Sequence, residues 1–200
     1  MKAADSLLSP AGMSLHAAMQ RLAETEWSIA LHESQYAYAI VESIHVWALC
    51  LFVGFAVLLD LRLVGAVFRD VPVSHMVRRV LPWTKAGFVV MVISGTLLFL
   101  AIPLRTYHNV FFRTKVILLI VAGLNAFVFH HGIYRKIADW DLQVPPRPAR
   151  MAGAMSLILW AAIVFSGRLI AYNWFDCGKP QPPVMNAFAG CTPDMIDPYR

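Results

Sequence analysis

The sequence predicts an all-α fold: a four-helix transmembrane bundle with an N-terminal amphipathic interfacial helix. Hydrophobic residues make up 58% of the 200 residues and charged residues only 14%, whereas a soluble domain carries about a quarter charged residues. Four apolar runs are each about 20 residues long, which suffices to cross a bilayer as a helix. Prolines lie between the runs, where turns are needed.

Three segments follow from this pattern. Residues 1–35 are predicted to form one or two short amphipathic helices on the outer, periplasmic surface. Their start has one early lysine and no apolar core, so it is not a cleavable signal. Residues 36–174 form the transmembrane domain, and residues 175–200 a periplasmic tail. The apolar residues of the first segment at roughly helical spacing are Leu15, Met19, Leu22 and Ile29.

The transmembrane spans are bounded by turn-forming residues. We expect Pro72 and Pro82 to precede the second span, Pro103 to end it, and the run from Pro145 to Pro148 to precede the fourth. The predicted spans are Ala37–Leu59, Trp83–Pro103, Val116–Tyr134 and Met151–Trp174.

The distribution of lysine and arginine predicts the orientation. The first and third connectors are more basic than the tails, so both connectors should lie in the cytoplasm of a bacterium and both termini in the periplasm of its inner membrane. The bias is modest because Arg105, Arg113 and Lys115 flank the second connector. The sequence pI near 9.3 fits basic loops on anionic lipid. No basic patch with interleaved aromatics indicates nucleic-acid binding.

Cysteine placement supports an oxidising compartment at the tail. Cys177 and Cys191 lie 14 positions apart in the polar C-terminal segment. A disulfide between them would require such a compartment, and two free thiols are the alternative. Cys50 lies inside the first span, where it serves as a small apolar residue.

Four polar residues of the spans fall at a similar depth. A helix rises about 1.5 Å per residue, which puts His45 roughly 22 Å and Glu42 roughly 27 Å outward from Asp60. Arg168 lies roughly 25 Å outward from the start of the fourth span, and Lys115 lies at the outer end of the third. We therefore expect Glu42, His45 and Arg168 to meet in one buried polar pocket in the outer half of the membrane.

This depth argument restricts the histidine pairs that could bind a heme. His45 and His130 differ in depth by about 15 Å, which disfavours one heme held by both. An outer heme could use His45 with His108 or a water, with Arg168 and Lys115 paired to its propionates. An inner heme could use His130 or His131 with His75.

Other interpretations of these residues remain open. Glu42 and Arg168 could form a structural ion pair, and His45 could hydrogen-bond a neighbouring helix. His130 and His131 suit an interfacial position. A copper or zinc ion on Glu42, His45 and His108 is a further alternative. The chain has no phosphate-binding loop, HExxH, CxxC or nucleophile elbow, and its one ExxH motif is too few for a di-iron site.

Five stretches resemble, in order, an uncharacterised bacterial four-helix membrane family. They are WSIALHESQYAYAIVESIHVWALCLFVGFAVLLDLRLVG, LPWTKAGFVVMVISGTLLFL, YHNVFFRTKVILL, LNAFVFHHGIYRK and SLILWAAIVFSGRLIAY. The resemblance covers Ala23 to Tyr172, leaves out the tail with its two cysteines, and brings no established activity. The layout is more distantly similar to copper-resistance D proteins and to the heme-b protoporphyrinogen oxidase of bacterial membranes. The positions that fall on family motifs are Glu42, His45, Asp60, Arg62, Asn109, Lys115, Asn125, His130, Trp160, Arg168 and Tyr172.

Three functions are then compatible with the sequence. The first is a heme-b subunit that passes electrons between quinone and a periplasmic redox partner, with His45 as an axial ligand. The second is a non-redox accessory or assembly subunit of a larger membrane complex, held by its polar tails. The third, a transporter or metal-handling protein, is the least favoured because the spans offer few polar positions at mid-depth.

Overall fold

The computed structural model describes residues 10–34, 36–141, 143–172, 177–179 and 181–191. Helices joined by turns make up these ranges, and no strand occurs within them. The all-α four-helix class is confirmed. The first nine residues of the predicted interfacial segment, Trp174 at the predicted end of the fourth span, and residues 192–200 of the predicted tail lie outside the described ranges.

Four long helices form the bundle, and each is long and apolar enough to cross a membrane. Short helices lie before, between and after them. The long helices are α3 (Ala37–Val64), α4 (Val73–Ala101), α6 (Val110–Val128) and α7 (Arg147–Ile170), and the short ones are α1 (Pro10–Ala23), α2 (Glu26–Glu33), α5 (Pro103–Tyr107) and α8 (Pro183–Ala189). A π-helical turn, Phe129–Ile133, and a 3₁₀ turn, Tyr134–Asp139, extend α6.

The first two spans are longer than predicted. Helix α3 continues to Val64 and ends at Gly65, whose φ of 85° lies in the left-handed region that favours glycine. Helix α4 starts directly after Pro72 and runs through Pro82, so the expectation that Pro82 precedes the helix is wrong. A proline inside a transmembrane helix is tolerated because neighbouring helices and hydroxyl side chains can satisfy the freed backbone groups.

The third span also begins earlier than predicted, and this changes the position of Lys115 in the helix. The Asn109 side-chain oxygen accepts hydrogen bonds from the amides of Phe111 and Phe112 at 2.9 and 3.2 Å, and so caps α6. Lys115 therefore lies inside the helix, more than one turn from its start.

Three interfaces build the bundle: α3 packs against α4 and α7, and α6 packs against α7. Gly87 of α4 lets α3 approach closely, because a Cβ there would lie 3.2 Å from the Phe52 Cβ. The Phe52 ring meets the Trp160 ring edge-on at 4.8 Å. Many apolar side chains face outward, such as Trp47 at 79% exposure, as expected for a surface in contact with lipid.

One end of the bundle, which we call the α5 end, carries the short helices. Helix α1 contacts α5, α2 contacts α3 and α4, and α8 contacts α6. The predicted disulfide between Cys177 and Cys191 is confirmed, with a Cα–Cα distance of 5.5 Å. Arg113 of α6 donates a 2.7 Å hydrogen bond to the Phe188 carbonyl and so ties the tail to the bundle. The N-terminal segment, predicted to form one or two short helices, contains α1 and α2.

Candidate functional site

His45 of α3 is held by a serine of α4. Its Nδ1 lies 3.0 Å from the Ser94 hydroxyl oxygen, and that hydroxyl donates its proton to the Val90 carbonyl at 2.7 Å. Because a hydroxyl has a single proton to donate, the hydrogen-bond network assigns the imidazole proton to Nδ1. A backbone hydrogen bond with Met91 also holds this imidazole. In the tautomer with the proton on Nδ1, Nε2 of His45 carries the lone pair.

Two glycines make room for the polar side chains of this region. A Cβ added at Gly95 would lie 3.1 Å from Cε1 of His45, so any larger residue would crowd the ring that lies against α4. A Cβ added at Gly167 of α7 would lie 3.3 Å from Nζ of Lys115. We call the group of His45, Ser94, Gly95, Lys115 and Gly167 the His45 site.

Lys115 brings a positive charge to the His45 site. The Lys115 ammonium lies within electrostatic range of the His45 imidazole. No carboxylate among the described residues interacts with it. Lys115 is half-buried, and a partly desolvated cation is stabilised by an anion or by hydrogen-bond acceptors. The site therefore combines an imidazole nitrogen that can bind a metal with a cation that can bind an anion.

The predicted pocket of Glu42, His45 and Arg168 is wrong in two of its three members. The Glu42 side chain is exposed. Arg168 is also exposed; its Nη2 donates to the Tyr172 hydroxyl at 3.0 Å and its guanidinium lies 5.1 Å from the centre of that ring. Residues three apart on a helix are offset by about 60°, so the rotation that turns His45 toward α4 leaves Glu42 outside.

His108 lies in a different cluster from His45. Its Nδ1 is 3.1 Å from the Ala189 carbonyl and its Nε2 is 3.3 Å from Nδ1 of His16. The described part of the chain contains no group of three or more histidine, cysteine, aspartate or glutamate side chains that could hold a metal ion. The described residues therefore do not bring Glu42, His45 and His108 together as a three-ligand metal site, whereas the pairing of His45 with His108 stays a prediction.

The inner histidines do not form a binding site with one another. His130 and His131 are exposed in the π-helical turn. The His130 ring stacks on Tyr134 at 5.2 Å and the His131 ring on Phe127 at 4.0 Å. His75 is also exposed. These contacts favour the interfacial interpretation of the pair.

A second polar cluster, at the opposite end of the bundle, was not predicted as a site. Asp60 and Arg62 of α3 are buried. Arg62 donates from Nε to the Val71 carbonyl at 2.8 Å, and Ser156 of α7 hydrogen-bonds Asp60. Within the described residues, Oδ2 of Asp60 and Nη2 of Arg62 have no hydrogen-bond partner. The signal was present in the sequence as two charges, two residues apart, at the end of an apolar run.

The loop between α6 and α7 closes this end. The Ser74 amide donates to Oδ1 of Asp141 at 2.8 Å, and the Ser74 hydroxyl donates to Oδ2. Partial burial opposes ionisation of Asp141, but these hydrogen bonds, one from the Val73 amide and the charge of Arg62 outweigh it and lower the pKa of the carboxyl below its usual value. The ionised Asp141 thus fixes the loop to the start of α4.

Comparison with known proteins gives a family but no activity. The profile of DUF6644, a family of unknown function, matches residues 29–173. Since the match covers more than half of the chain, the chain belongs to this family. No curated protein and no solved structure matches the chain significantly. The likeness to copper-resistance D proteins and to the heme-b protoporphyrinogen oxidase stays a prediction.

Proposed function

We propose that this protein is an integral membrane heme-b subunit that passes electrons between quinone and a redox partner at the α5 end. The hydrogen bond between Nδ1 of His45 and Ser94 carries the proposal. Histidines that bind metals almost always donate their other ring nitrogen to a polar group, which fixes the tautomer and the ring orientation. His45 has this arrangement inside the apolar bundle.

The rest of the His45 site also suits a heme. Lys115 lacks a carboxylate partner among the described side chains, and a heme propionate would supply the missing anion. When bound, the heme would supply one-electron redox chemistry. The chain would supply one axial nitrogen from His45, its orientation through Ser94, and charge compensation from Lys115. Because His108 is engaged elsewhere, the donor set fits one protein ligand rather than a histidine pair.

The disulfide supports a bacterial inner-membrane location with the α5 end outward. Disulfides persist in oxidising compartments such as the periplasm, and the bond between Cys177 and Cys191 lies at this end. Arginines concentrate at the opposite end, in the connector between α3 and α4 and in the adjoining turns of these helices, which suits a cytoplasmic face. They are Arg62, Arg69, Arg78 and Arg79. Both termini would then be periplasmic, where a soluble redox partner could reach them.

A reduced-minus-oxidised optical spectrum of the purified protein tests the heme. We expect b-type bands in the wild type and their loss in His45→Ala. His131→Ala is the matched control, because this imidazole is exposed and stacks on Phe127, so its bands should match the wild type. Folded wild-type protein without heme bands, or full bands in His45→Ala, would refute the proposal.

The two supporting residues give finer readouts. Ser94→Ala should retain heme but shift its reduction potential, because the imidazole loses the acceptor that orients it. Lys115→Met should lower the heme content and Lys115→Arg should restore most of it, because both basic side chains can pair with a propionate. Equal heme content in Lys115→Met and the wild type would remove Lys115 from the site.

A second candidate is a non-redox accessory or assembly subunit of a larger membrane complex. The exposed polar and aromatic surface at the α5 end favours it, since Trp27 of α2 is 88% exposed. Exposed tryptophans are frequent anchors of interfaces. Isolation of a stable complex that contains this chain without heme, and that dissociates in Trp27→Ala, would favour this function over the first.

A further inference from the structure

Two histidines from different segments meet at the α5 end. His16 comes from α1 and His108 from the end of α5, so they are far apart in the sequence. Nδ1 of His16 and Nε2 of His108 are 3.3 Å apart, and the ring centroids are 5.4 Å apart. Both side chains are half-buried. No sequence pattern predicts this pair, because the position at which α1 contacts the bundle cannot be derived from the sequence.

The distance between the two nitrogens matches the geometry of a metal site. Two imidazole nitrogens that each lie about 2.0–2.1 Å from a tetrahedral zinc ion are about 3.3–3.4 Å apart. A hydrogen bond between the imidazoles accounts for the same contact in the metal-free protein. At this spacing the pair can bind a metal ion once Nδ1 of His16 gives up its proton and both rings turn their lone pairs toward one point.

The surroundings of His108 fix the tautomer that metal binding needs. Ala189 offers a carbonyl at 3.1 Å from Nδ1 of His108. A carbonyl can only accept, so Nδ1 carries the proton and Nε2 presents its lone pair toward His16. This arrangement of a backbone carbonyl behind a ligating histidine is common in metalloproteins. Ala189 is itself positioned by the disulfide-closed tail and its link to Arg113.

We propose that His16 and His108 form a binding site for zinc or a similar imidazole-preferring divalent cation. Water or an external ligand completes the coordination, since the described residues offer only these two donors. The ion joins α1 to the end of α5, where His108 is held by the Ala189 carbonyl of α8, and so closes the α5 end over the bundle. The positive charge of Arg113, whose guanidinium lies 4.4 Å from the Tyr107 ring centre, repels the bound metal ion. We therefore expect a lower zinc affinity than that of a structural zinc site. This inference does not depend on the heme.

Calorimetric titration of the detergent-solubilised, chelator-treated protein with zinc chloride tests the site. We expect saturable binding in the wild type, at least about tenfold weaker in His16→Ala and in His108→Ala. Calcium and magnesium should not compete, because they prefer oxygen ligands. Replacement of zinc by cobalt(II) provides a second readout, since the intensity of the visible cobalt absorption depends on the number of ligands around the ion.

Controls separate this site from other histidines and from misfolding. His32→Ala and His131→Ala remove exposed imidazoles and should bind zinc as the wild type does. His16→Asn keeps a polar side chain on α1 and should have the wild-type helical circular dichroism while it loses zinc affinity. Wild-type affinity in both His16→Ala and His16→Asn, or no zinc binding by the folded wild type, would overturn the proposal.

Discussion

Substitution of Gly153 by alanine tests how closely α7 packs on α3. A Cβ at this position would lie 3.0 Å from the Asp60 carbonyl oxygen and 3.0 Å from the Leu63 Cβ. Neither atom is the flexible end of a side chain, so the helices must move apart. Overpacking of this kind costs about 1–3 kcal/mol. Alanine also gains about 1 kcal/mol over glycine in helix propensity, so the net loss of stability is about 0–2 kcal/mol.

A control variant separates the effect of crowding from the difference in helix propensity between glycine and alanine. Gly123 of α6 has no atom within 4 Å of a built Cβ, so Gly123→Ala changes propensity without crowding. We expect Gly153→Ala to be less stable than Gly123→Ala by about 1–3 kcal/mol. Gly87→Ala should fall between them, because its nearest contacts are 3.2 Å. Unfolding in mixed micelles with increasing sodium dodecyl sulfate, followed by tryptophan fluorescence, measures the difference. Equal stability of all three variants would refute the packing of α3 on α4 and α7.

Three further predictions concern single contacts. The lowered pKa of Asp141 stabilises the fold fully above the unfolded pKa of about 3.9 and less as pH falls through the folded pKa. Asp141→Asn should therefore flatten the acid loss of stability, and an unchanged pH profile would contradict this role. Removal of the disulfide with Cys177→Ser and Cys191→Ser should release about 3 kcal/mol of local constraint and speed chymotryptic cleavage after Phe188, which lies inside the disulfide loop, whereas an unchanged rate would show that other contacts hold the tail. Asn125→Leu removes a 3.0 Å hydrogen bond to a carbonyl of α7 and should destabilise the bundle by about 0.6 kcal/mol, at most about 1.7, in the same unfolding assay; a gain in stability would contradict it.

Hydropathy predicted the fold well because it reports the length of each apolar run. It placed the helix ends poorly, since these depend on local contacts. The sequence predicts that the second span starts after Pro82, yet α4 continues through this residue because lipid offers the backbone no alternative hydrogen-bond partner. At the third span the predicted start was too late, because Asn109 caps α6 and the helix begins before the apolar run does.

Residue counting predicts the depth of a side chain in the membrane but not the rotation of its helix about the helix axis. Counting residues correctly suggested that His45 and Lys115 share a level, and they lie within electrostatic range of each other. The count says nothing about which side of a helix faces the bundle, and so Glu42 was included wrongly. Ser94 could have been found, because it is a lone serine beside Gly95 inside an apolar run. His16 could not, because its position depends on how α1 docks.

The two proposed ligand sites differ in what the fold already satisfies. At the α5 end, His16 and His108 satisfy each other without a ligand, so a metal ion replaces an existing hydrogen bond and should bind reversibly. In the His45 site, the Lys115 ammonium has no carboxylate partner among the described residues, so an anionic ligand would compensate the charge of this half-buried side chain. A heme should therefore stabilise the bundle strongly, while zinc should mainly order α1 and the tail. Loss of heme in His45→Ala with zinc binding intact, and the reverse in His16→Ala, would establish that the sites act independently.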